Sequence, residues 1–498
     1  MAQLNGRPFP PGDYPIVVIG TGPGGLQVAA TLQRIGVRHA LLSEDEGPGG
    51  MFRRFPLFQR LITWTKPYAP HERRARAYEW HDWNSLLSAE PASRSLVAEE
   101  MDGTSYFPSR PEMEHGLAAF ASAEDVTARY GCVWTGTAHR EDGGFDVQTS
   151  DGMFSCRALV IAVGMTQPWR PDTIPGIQEV PHYVDVRGAT EYAGRRVFIV
   201  GKRNSGFELA DALLPWARSI VLGSPRPARL SVITRSTASA RARYLQPWED
   251  HVLGGGHLVL DVAIERIQRH ADGYVVECSG TTRPGAFRFE VDEVIAATGF
   301  RAPLLDLPDL GVATFYGGRL PSQTPYWEST TVPGIFFAGS ITQGAVGMKK
   351  HGNPSGSAAV HGFRYNARAL AEHLAATYGS WKRPRPPVPP ERVVALLLDE
   401  AQEAPELWHQ QAYLARVVSF DPQPRDDGIL PLEAFLDDGD TNAVAMTVET
   451  GPDGEIRPCA YIRRGGEIEE LTLPDETIHD FRTAEHREML GQALKGLI

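Results

Sequence analysis

Cysteine is scarce in this sequence, with four residues among 498, and no two of them form a C-x-x-C pair. Enzymes that exchange disulfides need closely spaced thiols, and small secreted domains need many cysteines for their disulfide frameworks. The sequence therefore argues against both. We expect buried thiols without a redox role at Cys132, Cys156, Cys278 and Cys459.

The sequence also lacks an apolar run of about 18 residues, the length that a membrane-spanning helix needs. Its first residues, MAQLNGRPFPPGDYP, contain neither a basic nor an apolar segment of the signal-peptide kind. Its net charge is −12, whereas a surface that binds nucleic acid has to be basic. These absences predict a cytoplasmic protein with no membrane or nucleic-acid partner, and we predict no metal site.

Two glycine-rich turns of one kind stand out in what the sequence does contain. They are VVIGTGPGG, beginning at Val17, and VFIVGKRNSG, beginning at Val197. Each follows an apolar strand and opens a helix, which is the pattern of βαβ units that bind dinucleotides. One such turn is a weak signal, but two in this order predict that the chain holds two dinucleotides.

The first turn has the residues that a dinucleotide needs. Gly20 permits the tight turn, Gly22 lets the backbone approach a pyrophosphate, and Gly25, next to Gly24, lets the helix pack closely on the strand. Glu44 ends the following strand, where its carboxylate can accept hydrogen bonds from ribose hydroxyls. FAD and NAD both fit this pattern.

Later segments favour FAD at the first turn. Gly49-Gly50-Met51-Phe52 resembles the GG-x-W/F segment of flavin monooxygenases and related flavoproteins, and AVG ending at Gly164 and ATGF around Gly299 resemble the joins between FAD and nicotinamide domains. FFAGS, with Gly339 and Ser340, resembles a segment in which many flavoproteins have Gly-Asp. Here a serine hydroxyl replaces the carboxylate.

The second turn departs from the pattern at its centre. Gly201 and Gly206 keep the outer positions, but Arg203 replaces the middle glycine. Its side chain can obstruct a pyrophosphate, or it can point outward and add a cation to phosphate binding. Arg226 and Arg229 could meet a 2′-phosphate, so the sequence favours NADPH over NADH. The predicted site also includes Asn204, Ser205 and Gly299.

The predicted fold class is α/β, with two Rossmann-like dinucleotide-binding domains and a small α+β carboxy-terminal domain. The proline-rich stretch WKRPRPPVPP would be a semi-rigid linker to that last domain. The predicted ranges are 13–165 for the first part of the FAD domain, with an aromatic and arginine-rich insertion at about 47–130, 166–290 for the NAD(P)H domain, 291–380 for the second FAD part, 381–390 for the linker and 391–498 for the carboxy-terminal domain.

Taken together, these segments resemble the two-dinucleotide flavoproteins that include flavin-containing monooxygenases and thioredoxin reductases. HDWNSLL from His81, RLITWTKPY from Arg60, HGFRYNARAL from His361 and GKRNSGFELAD from Gly201 are most similar to the family of the FAD-dependent oxidoreductase domain-containing protein 2, an endoplasmic-reticulum flavoprotein associated with degradation. This resemblance implies FAD and a nicotinamide.

The leading functional expectation is an NAD(P)H-dependent monooxygenase that transfers oxygen from a C4a-(hydro)peroxyflavin to a small molecule, with O2 as co-substrate. The alternatives are a thioredoxin-reductase-like enzyme, an FAD-dependent oxidase or dehydrogenase with a degenerate nicotinamide site, and a flavin-stabilised adaptor. The carboxy-terminal domain would hold a partner, form a homodimer interface or cover the active site. No catalytic residue is predicted, and the candidates for the flavin neighbourhood are Lys66, Lys350, His361 and Arg364.

Overall fold

The computed structural model describes residues 7–58, 60–231, 239–344, 354–437 and 439–498. The chain divides into two compact units. The first contains the chain up to residue 55, residues 63–164 and residues 302–498, and the second contains residues 56–62 and 165–301.

The first unit begins with the predicted βαβ arrangement. A mixed sheet has the order β2-β1-β5-β4-β3, in which β1 pairs in parallel with β2 and β5. Because β1 has neighbours on both sides, its second half is buried. The elements are β1 (Gly12–Ile19), α1 (Pro23–Ile35), β2 (His39–Leu42), α2 (Leu96–Glu100), α3 (Arg110–Ala123), β3 (Trp134–His139), β4 (Phe145–Thr149) and β5 (Gly152–Ile161).

The second unit contains the second predicted turn on a six-stranded sheet of order β11-β10-β9-β8-β7-β12. Strands β9, β8, β7 and β12 pair in parallel, and β10 and β11 continue the sheet antiparallel. The elements are β6 (Gln167–Pro168), β7 (Arg196–Val200), α4 (Asn204–Leu213), β8 (Ser219–Ser224), α5 (Gln246–Leu253), β9 (Leu258–His270), β10 (Gly273–Gly280), β11 (Ala286–Val291), β12 (Glu293–Ala296) and β13 (Phe300–Arg301).

The position of β12 differs from the predicted domain boundary at residue 291. The sequence suggests that the chain is back in the first domain from residue 291, yet β12 forms a parallel ladder with β7 inside the second sheet. The chain rejoins the first unit at Ala302. An apolar strand of this length fits either parallel sheet, so its sequence does not identify its neighbour.

The chain then completes the first unit. β16 pairs in parallel with β5 and extends the first sheet, while α6 packs against α1. The elements are β14 (Thr314–Phe315), β15 (Leu320–Pro321), β16 (Ile335–Phe337) and α6 (Val360–Tyr378).

The carboxy-terminal part forms an antiparallel sheet of order β18-β17-β19-β20-β21 with its own apolar core. Strands β19, β20 and β21 lie within 391–498, the range that the sequence predicts to be an α+β domain. In the described part of the chain, none of the helices is long and apolar enough to cross a membrane. The elements are α7 (Val393–Glu403), α8 (Pro405–His409), β17 (Leu414–Phe420), β18 (Pro424–Pro431), α9 (Leu432–Asp437), β19 (Ala443–Thr450), β20 (Ile456–Arg464), β21 (Glu467–Thr472) and α10 (Ala484–Ala493).

Candidate dinucleotide sites

The first glycine turn is built by close backbone contacts. Gly20 has a φ of +109°, and a methyl group added to it would lie 2.5 Å from the carbonyl oxygen of Ala162. A methyl group on Gly25 would lie 1.9 Å from the carbonyl oxygen of Gly20, and one on Gly24 would lie 2.4 Å from Gly339 Cα. No side chain fits at these three positions, because the helix, the strand end and the segment after β16 touch through their main chains.

A second glycine segment closes on the same turn. The N–H of Gly49 donates to the carbonyl of Thr21 at 3.0 Å, and a methyl group on Gly50 would lie 2.8 Å from Gly22 Cα. Gly22 is the residue before α1 and caps the helix with no side chain. The amino terminus of α1 is therefore surrounded by glycine backbone without side chains. The N–H groups and positive potential of a helix amino terminus favour the binding of phosphate groups. These residues fit the pyrophosphate of FAD.

The carboxylate of Glu44 is available for a ribose. Glu44 follows β2 and is exposed, whereas its neighbour Ser43 is buried. The Ser43 hydroxyl accepts a hydrogen bond from Thr21 Oγ1 at 2.8 Å, which joins the end of β2 to the glycine turn. Glu44 is thus fixed beside the turn with its side chain in solvent.

The other predicted FAD residues lie at turns of the first unit. Met51 and Phe52 are half-buried on a 3-10 turn, Gly50–Arg53, directly after the glycine pair. Gly164 follows β5 with a φ of +69°. The half-buried Ser340 is the second residue of the 3-10 helix that follows β16, directly after the Gly339 that meets Gly24.

The second turn repeats the geometry of the first. Gly201 has a φ of +130°, and a methyl group on it would lie 2.4 Å from the carbonyl oxygen of Ala297. A methyl group on Gly206 would lie 2.3 Å from the carbonyl oxygen of Gly201. Ala297 thus packs against Gly201 as Ala162 packs against Gly20 in the first unit. The outer glycines of the two turns therefore have the same structural role.

The residue at the centre of the second turn is an arginine with a solvent-exposed side chain. Arg203 precedes α4, and its side chain is exposed and does not cap the helix. Arg226 and Arg229 are also exposed, beyond the end of β8. Lys202 is instead buried, and its ammonium is paired with the Asp261 carboxylate, so it is committed within the unit.

The remaining predicted nicotinamide residues support the turn. Asn204 Oδ1 accepts the N–H of Arg241 at 3.1 Å, and Ser205 is half-buried beside it at the start of α4. The carbonyl of Gly299 accepts hydrogen bonds from the Trp169 N–H and from His182 Nε2, each at 3.0 Å.

The candidates for the flavin neighbourhood divide among different environments. His361 is buried on α6, with its ring centre 4.0 Å from that of Trp83. Arg364 is also buried there and donates to the carbonyls of Ser85 at 2.7 Å and of Glu79 at 3.1 Å, so it packs the insertion against the helix. Lys66 is exposed, and Lys350 lies outside the described residues.

All four cysteines are buried and none of them forms a disulfide, as the sequence predicts. Burial raises the pKa of the thiols of Cys156 and Cys278 to about 12 each. The thiolate is the form that exchanges disulfides, and it is scarce at neutral pH when the pKa is this high.

Three residues that shape the two turns lie in the motifs quoted from the sequence but not among the predicted site residues. Ala162 and Ala297 are the walls against which the first glycine of each turn packs, and Gly49 has a φ of +130° and ties its segment to Thr21. The repeated strand ending A-x-G, found in AVG and ATG, is the signal that marks the two alanines.

Comparison with known proteins agrees with this geometry and confirms the predicted resemblance. The chain is 26% identical over 466 residues to the FAD-dependent oxidoreductase domain-containing protein 2 of Danio rerio, which covers 80% of this chain and 64% of that relative. The chain thus spans less than two thirds of the relative's length.

Solved structures share the two-dinucleotide fold. Bacillithiol disulfide reductase Bdr from Staphylococcus aureus has a TM-score of 0.54 and 15% identity, and a flavin-containing monooxygenase from Stenotrophomonas maltophilia has a TM-score of 0.53 and 19% identity. Each likeness covers 73% of this chain and 98% of the other. A family model for pyridine nucleotide-disulphide oxidoreductases matches residues 17–339, which contain both glycine turns. The chain therefore belongs to the pyridine nucleotide-disulphide oxidoreductase family.

Proposed function

We propose that this protein is an FAD-dependent, NAD(P)H-dependent monooxygenase that acts on a small molecule and O2. The observation that carries the proposal is the repeated geometry of the two glycine turns. Gly20 and Gly25 in one unit and Gly201 and Gly206 in the other meet their backbone neighbours in the same way. Two such turns suit one dinucleotide each, and FAD with a nicotinamide is the pair that the family implies.

FAD belongs at the first turn in this proposal. Gly22 leaves room at the amino terminus of α1 for a pyrophosphate, and the exposed Glu44 can accept hydrogen bonds from the adenosine ribose. The name of the Danio rerio relative also includes FAD. When bound, FAD takes up a hydride and passes electrons to O2.

The nicotinamide belongs at the second turn. The exposed guanidinium of Arg203 can reach solvent-side phosphate oxygens without filling the turn, and Arg226 and Arg229 add exposed cations past β8. A 2′-phosphate would gain from these cations, so we propose NADPH as the preferred donor.

Disulfide exchange is disfavoured despite the name of the family. All four cysteines are buried and none of them forms a disulfide, and burial raises the pKa of Cys156 and Cys278 so that they stay protonated at neutral pH. Electrons from FAD therefore have no thiol of this chain to reach. Two nucleotide sites without an exposed thiol therefore support small-molecule oxygenation over disulfide exchange.

An FAD-dependent oxidase or dehydrogenase is the second candidate. It is favoured by Arg203, which stands where other dinucleotide turns have a glycine. In such an enzyme the substrate itself would reduce FAD, and the second turn would be structural.

One experiment separates the two candidates. The purified holoprotein is mixed anaerobically with NADPH or NADH, its visible flavin absorbance is followed, and air is then admitted. We expect NADPH to bleach the flavin faster than NADH does. After air is admitted, we expect the flavin absorbance to return in more than one kinetic phase. Bleaching by neither nicotinamide would overturn the monooxygenase and favour the oxidase.

Arg203→Gln tests the role of the arginine at the second turn. Loss of a charged hydrogen bond to phosphate should weaken the binding of NADPH by about tenfold. The half-saturating concentration of NADPH for flavin reduction measures this change. Arg218→Gln, which removes an exposed arginine elsewhere in the same unit, is the matched control and should leave this value unchanged. Tighter binding of NADPH by Arg203→Gln would mean that the arginine side chain obstructs the site.

A further inference from the structure

A cavity of 450 Å³ lies in the first unit, where the end of α1, the insertion, α6, the proline-rich linker and the carboxy-terminal sheet meet. The linker is part of its wall, through Trp381, Arg383, Pro384 and Pro386. The volume is within the range of small-molecule sites, roughly 300–1,000 Å³. Cavities of this size that are lined by charged groups select their ligand by charge.

Most of the charges in the wall are already paired. Arg383 pairs with Glu372 at 2.7 Å, Arg416 pairs with Asp426, and Arg368 pairs with Glu406 at 2.5 Å. Further carboxylates are paired as well, since Glu406 also binds Arg76 and Asp427 binds Arg385. Glu79 accepts a hydrogen bond from Tyr365 at 2.8 Å, and burial raises its pKa.

Two arginines of the wall have no carboxylate partner among the described residues. Arg34 is exposed in the last turn of α1. Arg94 donates only to main-chain carbonyls, those of Ser88 at 2.9 Å, Arg74 at 3.0 Å and Ala89 at 3.1 Å. The carbonyls hold the guanidinium in place but leave its positive charge uncompensated, so the wall has an excess of cation.

The same wall has apolar surface beside these cations, from Ile35, Leu87 and Trp381. We propose that the cavity binds a small organic anion, whose carboxylate or phosphate group is held by Arg34 and Arg94 and whose apolar part packs on these three residues. Arginine suits both anions because its planar donors match their oxygens.

This site is separate from the glycine turn on the same helix. The turn lies before the first residue of α1, Arg34 lies in the last turn, and the helix has 13 residues. At 1.5 Å per residue the two ends are about 20 Å apart. The anion would therefore contact the linker and the carboxy-terminal sheet without contacting the pyrophosphate site.

The test is calorimetric titration of the holoprotein with benzoate and with phenyl phosphate, and benzyl alcohol and inorganic phosphate serve as the neutral and the non-apolar comparison. We expect one or both aromatic anions to bind, and Arg34→Gln and Arg94→Gln each to weaken that binding by about tenfold. Whether benzoate or phenyl phosphate binds more tightly identifies the anionic group. The matched control is Arg392→Gln, an exposed arginine outside the wall.

Two further measurements test whether the anion binds at this cavity. Binding should protect the linker, residues 381–387, from amide hydrogen exchange, and Arg34→Gln should leave flavin reduction by NADPH unchanged. Failure of both anions to bind would overturn the proposal, as would native affinity in both arginine variants. Equal binding of inorganic phosphate and phenyl phosphate would overturn the apolar contact.

Discussion

At the scale of single residues, the four glycines of the first turn are not equivalent. Methyl groups on Gly20, Gly24 and Gly25 would overlap main-chain atoms at 2.5, 2.4 and 1.9 Å, so these glycines are needed for folding. A methyl group on Gly22 would find its nearest neighbour, Gly50 Cα, at 3.9 Å, and Gly22 has a φ of −68°, which any residue adopts. Folding does not require a glycine there, which leaves close approach of a ligand as its reason.

Gly22→Ala should therefore remove FAD without unfolding the protein. The methyl group would project where a pyrophosphate approaches the helix amino terminus, and we expect the flavin content of the purified protein to fall by at least about tenfold, since a lost charged hydrogen bond alone costs that much. The ratio of flavin to protein absorbance measures this, and the thermal midpoint of flavin-free protein checks the fold. Gly491→Ala is the control, because a methyl group there on α10 would make only an ordinary contact with Val394 at 4.0 Å. Full flavin content in Gly22→Ala would contradict the assignment.

At the scale of elements, α4 is tied to a short excursion of the chain by one carboxyl group. Glu208 lies on α4 and is 7% exposed. Its Oε2 accepts the hydroxyl of Tyr183 at 2.7 Å, and its Oε1 accepts the N–H of Phe58 at 3.2 Å. Residues 56–62 thereby belong to the second unit. Burial raises the pKa of Glu208 from its usual 4.5 to about 7, against the lowering effect of these hydrogen bonds.

A raised pKa makes this contact sensitive to pH. The folded state binds the proton more tightly than the unfolded state, so its stabilising contribution is complete below pH 4.5 and is lost as the pH rises through 7. Glu208→Gln cannot ionise and keeps a carbonyl acceptor. Relative to the native protein, the variant should gain about 3 kcal/mol of unfolding free energy between about pH 5 and pH 9.

Urea unfolding of both proteins across this pH range measures the difference. Glu179→Gln, at an exposed glutamate of the same unit, is the control. A difference between Glu208→Gln and the native protein that stays constant with pH would contradict the buried, protonated carboxyl.

The elements also show how far the sequence predicts the structure. The two turns are predictable because a turn from strand to helix is local, and the glycines at 20, 25, 201 and 206 answer to neighbours brought in by the same βαβ unit. The pairing of β12 with β7 is not predictable in this way, because an apolar strand is compatible with either sheet. The sequence leaves two orientations open for Arg203, and its exposed side chain supports the proposed outward one, which Arg203→Gln tests.

At the scale of the whole molecule, distant parts of the chain are joined by buried ion pairs. Arg76 of the insertion binds Glu400 of α7 and Glu406 of α8, each at 2.8 Å, and Arg368 of α6 binds Glu406 at 2.5 Å. Arg76 and Glu406 are 330 residues apart in sequence. Separation of this kind hides both the network and the cavity beside it from sequence reasoning, although the proline-rich linker next to them is plain in the sequence.

Glu406→Gln should destabilise the first unit as a whole. Burial would raise the pKa of Glu406, but Arg76 and Arg368 outweigh it and bring the pKa to about 2. Because this pKa is below the usual 4.5, the contribution is complete above pH 4.5 and is lost as the pH falls towards 2. Removing the charge at neutral pH leaves Arg368 without a carboxylate partner among the described residues and leaves Arg76 with Glu400 alone, which costs about 3 kcal/mol.

Urea unfolding at neutral pH measures this cost, and protease cleavage within residues 381–390 reports whether the linker opens. Glu403→Gln is the matched control, since Glu403 is on α7 and pairs with Arg482 at 2.6 Å but is 58% exposed. An exposed pair contributes about 1 kcal/mol or less, so the control should unfold near the native midpoint. The gap between Glu406→Gln and the native protein should also narrow as the pH falls below 4.5, because acid removes the same charge from the native protein. Equal stability of the two variants at neutral pH would mean that the buried network does not hold the carboxy-terminal part against the insertion.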